Sequence, residues 1–212
     1  MLKNFKTIFI LAPHTDDGEL GCGGTISKLI ENGSDVYYIA FSTAEESVPR
    51  GFPKNQLEFE VREATKILGI KENNLIIYKY PVRKLNYLRQ DILDNLIELR
   101  NKYNPDLIFI PSLNDIHQDH ATIAQEALRT FKNRTILGYE LIWNNLTFNT
   151  ECFISLNKNH IEKKVIALSK YKTQKGKEYM SKEFIFSLAK ARGVQIGVEY
   201  AESFEVVRWV MK

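Results

Sequence analysis

Residues 7–24 read TIFILAPHTDDGELGCGG, and this stretch decides the fold. Thr7 to Ala12 is an unbroken apolar run that stops at a polar turn, which is how a strand buried on both faces reads. His14, Asp16, Asp17 and Glu19 follow it at once, so side chains able to do chemistry stand at the carboxyl end of that strand. A glycine-rich turn, GELGCGG, is expected next. TISKLIENG then shows helical spacing and stops on Gly33.

The same alternation continues along the chain. Residues 35–42 (DVYYIAFS) read as a strand. Residues 55–69 (NQLEFEVREATKILG) read as a helix with Leu57, Val61, Ala64 and Leu68 on one face. LIIYKY is a third strand, 86–103 a long amphipathic helix closed by Asn104-Pro105, and DLIFIP a fourth, nearly all-apolar strand. HATIAQEALRTF reads as a helix and TILGYELI as a fifth strand. Strand and helix alternate four times, which argues for an α/β fold with a mostly parallel central sheet and helices on both faces. The C-terminal third is less regular. ECFISL reads as a strand, Asn157 to Lys170 and Lys182 to Arg192 as helices, the second ended by Gly193, and SFEVVRWVM as a final strand.

The 212 residues are compatible with one domain, 1–212. A net charge of +3, from 29 basic and 26 acidic residues without a long like-charge run, argues against nucleic acid as partner. The first apolar run is too short for an export signal and no run is long enough to span a bilayer, so a cytoplasmic protein is expected. Cys22 and Cys152 lack CxxC spacing and are expected as free thiols. A homo-oligomer is left open.

Three of the four histidines fall in two polar clusters. One follows the first strand; the other, Asp115, His117, Asp119 and His120, follows the fourth. Open parallel sheets bind ligands beyond the carboxyl ends of their strands. Alone, HTDD is a common helix-capping turn and Asp119 a plausible cap. Together, the clusters offer the two His and one carboxylate of a catalytic zinc, with carboxylates left over for a general base and for orienting ligands. His160, in a Lys- and Asn-rich segment, is expected on the surface.

APHTDDGELGCGGTI resembles the AHPDDE signature of the GlcNAc-PI de-N-acetylase family, also called LmbE-like, and DIHQDH resembles its HxDH motif. VREATKILG, KVIALSKYKTQ and ARGVQIGVEYAESFEVVR resemble further family segments, so the likeness spans nearly the whole chain. The resemblance implies a Rossmann-like three-layer fold and zinc-dependent removal of acetyl from an N-acetylglucosamine-type sugar or its conjugate. It makes His14, Asp17 and His120 the ligands of Zn2+ or another divalent metal. Asp16 becomes the base acting on a metal-bound water. A protonated His117 stabilises the oxyanion and Asp119 orients or charges a histidine. The sequence departs from the signature at Pro13-His14-Thr15, where the signature has Pro after His, and at the inserted Gly18, which moves the acidic residue to Glu19. No tyrosine precedes the second motif in PSLNDI, where some members carry one.

Substrate contacts are expected from Glu19, from Arg50 in the loop STAEESVPRGF, and from Arg62 on the helix that follows; a solvated loop arginine is the plainer reading of Arg50, and a helical ion pair is an equal reading of Arg62. PVRKLNYLRQ gathers Arg83, Lys84 and Arg89, either as a solvated helix start or as an anion-binding edge for a phosphate- or nucleotide-linked sugar. Gly21, Gly23 and Gly24 lack GxGxxG spacing, so no nucleotide cofactor is expected. Trp143 and Trp209 read as packing residues, with Trp143 also placed to meet a sugar. Two rival readings remain: another zinc reaction on the same scaffold, as a thiol-conjugate amidase or hydratase, and a non-catalytic sugar- or nucleotide-binding module.

Overall fold

A computed structural model of the chain describes residues 5–211. The strands are β1 (Thr7–His14), β2 (Asp35–Ser42), β3 (Leu75–Ile77), β4 (Leu107–Pro111), β5 (Thr135–Tyr139), β6 (Cys152–Leu156) and β7 (Tyr200–Arg208). The helices are α1 (Asp17–Glu31), α2 (Gln56–Leu68), α3 (Arg89–Tyr103), α4 (Gln118–Thr130), α5 (Lys158–Leu168) and α6 (Lys182–Gln195). All seven strands join one sheet in the order β3-β2-β1-β4-β5-β7-β6. The first five are parallel, as the alternation predicts; β7 runs antiparallel to both β5 and β6.

Alternate residues of the apolar strands point to opposite faces, so each face acquires its own core. Ile8, Ile10, Val36, Tyr38 and Phe109 pack under Ile26 and Leu29 of α1, Val61 of α2, Ile161 of α5 and Ile185 of α6. Phe9, Leu11, Ile39, Phe41, Ile108 and Ile110 pack under Ile92 and Leu96 of α3 and Ile123 and Ala127 of α4. β1 is sealed from solvent from Ile8 to Ala12. Each such side chain contributes roughly 1.5–3 kcal/mol of burial.

β1 lies between β2 and β4, so the chain leaves β1 toward one side of the sheet and returns on the other. A crevice opens at such a switch point beyond the strand ends. Both polar clusters border it, and this brings His14 and His120 together across 106 positions.

Several local expectations are corrected. GELGCGG is not a turn before a helix but the first half of α1, which bends at Cys22 (φ −148°). The bend leaves the amides of Gly24 and Thr25 to donate to the buried Glu202 carboxylate at 3.1 and 2.7 Å. Glycine is required there by close packing. A Cβ on Gly21 would stand 2.3 Å from the Tyr139 ring, and one on Gly24 2.6 Å from Leu156. Gly193 does not stop α6, which runs on to Gln195; a Cβ on Gly193 would meet the Val198 carbonyl at 2.7 Å. α3 begins three residues later than predicted, after a 3-10 turn at Leu85–Tyr87. His160 is not a surface residue: it is 4% exposed, closes a capping box with Asn157 at the start of α5, and bonds Glu31 at 2.6 Å. Both cysteines are free, as expected.

Gly21→Ala tests the close approach. Tyr139 is fully buried and its hydroxyl donates to the Leu11 carbonyl at 2.9 Å, so the ring cannot retreat. Overpacking of about 1–3 kcal/mol outweighs the gain of about 1 kcal/mol in helix propensity. A drop in thermal midpoint of a few degrees is expected in a melting experiment, and an unchanged midpoint would contradict the packing account.

Candidate functional site

The carboxyl end of β1 delivers His14, Asp16 and Asp17, and the loop after β4 delivers Asp115, His117, Asp119 and His120. His14 Nδ1, Asp17 Oδ2 and His120 Nε2 form a triangle whose three sides all measure 3.2 Å. Ligand atoms at ~2.0–2.1 Å from a tetrahedral zinc stand about 3.3 Å apart, so the triangle has the size such an ion requires. The three histidines also offer donor atoms within 4.8 Å of one another, a looser set that shares two members with the triangle.

The tautomers follow from the second layer of contacts. His14 Nε2 donates to Asp119 Oδ2 at 3.0 Å, and His120 Nδ1 donates to Asp115 Oδ2 at 2.7 Å. Each ring is thereby left with its other nitrogen aimed at the centre of the triangle, where a cation can take the place of a proton. Asp17 is held in place by the His14 amide, which donates to its Oδ2 at 2.8 Å. Its carboxyl lies well below the usual range despite burial, because His120 and then His14 stand beside it. The same carboxylate overcomes burial to raise His14 to about 9 and His120 to about 10. All three groups therefore compete for positive charge at one point.

Asp16 lies next to the triangle and lines an open cavity of about 250 Å³ together with Thr15, Val82, Arg83, His117, Trp143, Gln174 and Tyr179. Burial first, then the neighbouring Asp17 charge, pushes its carboxyl up to about 6. A cation in the triangle acts the other way and favours the ionised form, the form a general base needs. His117 caps α4: its Nδ1 accepts the Asp119 amide at 3.2 Å. The cap is therefore His117 and not Asp119. With Nδ1 accepting, the ring's one proton sits on Nε2. Burial, then the nearby His120 and His14 rings, lower its pKa, which favours the neutral ring over the protonated one expected.

Asp119 is fully buried and orients His14, while also accepting the amides of Arg83 at 2.6 Å and Leu85 at 3.3 Å. Arg83 thereby sits at φ 64°, a left-handed conformation costing about 1–3 kcal/mol for a residue with a side chain. Glu19 is not in the cavity. It is 0% exposed and lies in hydrogen-bonding contact with the hydroxyls of Tyr38 and Tyr171, which also stand 2.9 and 2.7 Å from the Thr15 carbonyl. Burial raises its carboxyl to about 8. It props up the loop from below and cannot touch a substrate. Arg62 is half-exposed and pairs with Glu58, the helical ion pair of its two readings; it lines a separate groove with Glu63 and Lys66. Arg50 is exposed in its loop and does not line the cavity.

Sequence reasoning missed three participants. Asp115 was placed in the cluster without a role, and its spacing of five from His120 gives no periodic signal. Tyr179 stacks on Trp143 (3.9 Å between centroids, 16° between planes) and forms a cavity wall. Lys177 lies close by. Both come from the 3-10 segment before α6, which no motif marks.

A cluster of two histidines and a carboxylate with the spacing a divalent cation needs, set at the switch point of a parallel sheet and open to a polar cavity, points to the class. The chain belongs to the PIG-L family, GlcNAc-PI de-N-acetylase, whose profile matches residues 9–131. The uncharacterized deacetylase YaiS of Escherichia coli K12 is 26% identical over 176 residues, 79% of this chain and 91% of that protein. Diacetylchitobiose deacetylase of Thermococcus kodakarensis is 29% identical over 115 residues, 51% of this chain and 42% of that protein. The structure of N,N'-diacetylchitobiose deacetylase from Pyrococcus horikoshii superposes with a TM-score of 0.80 at 22% identity, covering 96% of this chain and 84% of that one, and shows the shared fold. Among the described residues no helix is long and apolar enough to cross a membrane.

Asp115→Ala removes the acceptor that fixes the His120 tautomer. Metal affinity is expected to fall about 10–100-fold, read by competition with a chromogenic chelator. Wild-type affinity in this variant would mean that the carboxylate does not orient the ring.

Proposed function

We propose that the chain is a metal-dependent hydrolase that removes acetyl from an N-acetylglucosamine-type amino sugar or its conjugate. The observation that carries this reading is the 3.2 Å triangle of His14, Asp17 and His120, with one nitrogen of each ring aimed inward and Asp16 beside it on an open cavity. His14, Asp17 and His120 would hold the ion, and their two nitrogens and one carboxylate suit zinc. Bound there, a zinc ion polarises an acetamide oxygen and lowers the pKa of water.

The residues of the chain do the rest. Asp16 accepts a proton from the attacking water as its oxygen bonds to the acetamide carbon. His117 Nε2–H donates to the oxygen that gains charge, an electrostatic role favoured by its neutral, fixed tautomer. The C–N bond then breaks, the proton passes to the departing nitrogen, and acetate and a free amino sugar leave. Asp119 and Asp115 hold the ligand rings, and Trp143 with Tyr179 offers an aromatic wall to the sugar. The deacetylase names of the two sequence relatives support this choice of reaction.

Acetate release from a panel of N-acetyl sugars, with zinc present and after chelation, tests the reading. Activity on none of them, accompanied by amide or enoate turnover, would overturn it. Asp16→Asn is expected to lower kcat by about 10²–10⁴-fold. Metal content by mass spectrometry should remain that of the wild type, because Asp16 is not in the triangle. Near-normal turnover in that variant would remove Asp16 as the base.

A further inference from the structure

The triangle and its cavity lie at the carboxyl ends of the parallel strands. The opposite end of the sheet carries a second polar groove, of about 320 Å³. It sits just ahead of β4 and β5, and its walls are Arg100, Asn101, Asn104, Asn133 and Arg134. Among the described residues, two guanidinium groups and three amides line it, with no carboxylate and no apolar side chain. No step of the proposed reaction uses these residues.

Both arginines are held by neutral oxygens. Arg100 Nη1 donates to the Thr130 carbonyl at 2.9 Å, and its Nε and Nη2 donate to Asn101 Oδ1 at 3.3 and 3.2 Å. Arg134 Nη1 donates to the Asn133 carbonyl at 3.2 Å, and its Nη2 donates to Asn104 Oδ1. Among the described residues, no carboxylate forms an ion pair with either. The acid of this segment, Asp106, accepts the amides of Lys6 and Thr7 at 2.9 and 3.0 Å. A helix C-terminus attracts cations, so the end of α4 accounts for the presence of arginine here. It takes up only part of what the two guanidinium groups can donate.

The same bonds decide what the groove presents. Arginine can only donate, so the oxygens of Asn101 and Asn104 are the atoms turned to the guanidinium groups, and the amide NH2 of each is left over. Each terminal guanidinium nitrogen spends one N–H on an oxygen and keeps the other. Arg134 Nε is buried without any acceptor, which native structures seldom tolerate. Acceptors are thus consumed inside the cluster, and donors with two positive charges remain. Both arginines are half-buried, so they are less mobile than ordinary surface cations.

We propose that the groove between Arg100 and Arg134 is a binding site for a phosphate group, separate from the cavity and independent of the deacetylase reading. The two guanidinium forks pair with its oxygens, and the NH2 groups of Asn101 and Asn104 donate to it from the side. A group with several acceptors and a negative charge is what a wall of donors lacks. The bound anion would tie the last turn of α3 to the turn between α4 and β5, segments 30 positions apart at Asn104 and Arg134. Only the folded chain brings those segments together, so the anion stabilises the fold by mass action.

The test reads the groove itself. The zinc-loaded, isotope-labelled protein is titrated with inorganic phosphate and with glycerol phosphate at constant ionic strength, and the side-chain amide signals of Asn101 and Asn104 are followed by NMR. Phosphate held elsewhere, on the metal included, does not enter this readout. Saturable shifts of both amides are expected with inorganic phosphate. Saturation by the ester as well identifies the phosphate group of a larger molecule as a ligand, whereas its exclusion identifies the free ion. Arg134→Gln and Arg100→Gln are each expected to weaken binding at least about tenfold, the size of one lost charge-assisted hydrogen bond. The thermal midpoint of the wild type should rise with phosphate, and less so in either variant. Shifts that fail to saturate, shifts that chloride reproduces at the same ionic strength, or an affinity untouched by both substitutions overturn the proposal. The wild-type titration decides between the first two outcomes and binding even where a variant does not fold.

Discussion

Two carboxylate–imidazole hydrogen bonds govern this site. An imidazole can offer a lone pair from either nitrogen, and only a partner on the opposite edge decides which. Asp119 decides it for His14 and Asp115 for His120. Had either ring turned over, one of the two lone pairs beside Asp17 would become an N–H, and the triangle would be a hydrogen-bonded cluster instead of a place for a cation. Both acids come from the same short segment after β4, so this segment orients a histidine of its own and a histidine on β1.

The same acids join the site to its surroundings. Asp119 accepts two amides from the loop that contains Arg83, so the rim of the cavity and the orientation of His14 share one carboxylate. On the other side, Glu19, Tyr38 and Tyr171 brace the Thr15 carbonyl, between His14 and Asp16. A strand end buried on both faces would otherwise leave polar groups unmatched; here each has a partner or faces the cavity. The glycines of α1 complete the support. They let the helix settle against Tyr139 and Leu156, which sets how close Asp17 comes to the ligands from β4.

Much of this was legible in residue patterns. The parallel half of the sheet follows from apolar runs separated by helices of 3.6-residue period, because burial on both faces imposes that composition. Both polar clusters stood out because His and Asp gathered at strand ends. The misreadings share one cause. GELGCGG looked like a turn because glycine lowers helix propensity, yet contact with the sheet outweighed about 1 kcal/mol per residue. His160 looked exposed because its neighbours are Lys and Asn, yet Glu31, distant in sequence, supplies a partner. Glu19 looked like a site residue because it adjoins the motif, yet it points into the core and not the crevice.

The amino-acid sequence by itself determined the strand–helix alternation, the identity of the candidate ligands and base, and the helix stops at Gly33 and Gly69, since these depend on local periodicity and side-chain chemistry. Only the tertiary structure decided which nitrogen of each histidine faces the centre, that His117 is a neutral cap, that Glu19 is a prop, and that Arg83 reaches the cavity while Arg89 does not. Those outcomes depend on partners from other elements, such as Asp119 to Arg83, Glu126 to Arg89 and Tyr171 to Glu19. A hydrogen bond acts over ~3 Å and is blind to sequence separation, so its partners become known only when the sheet has placed them side by side.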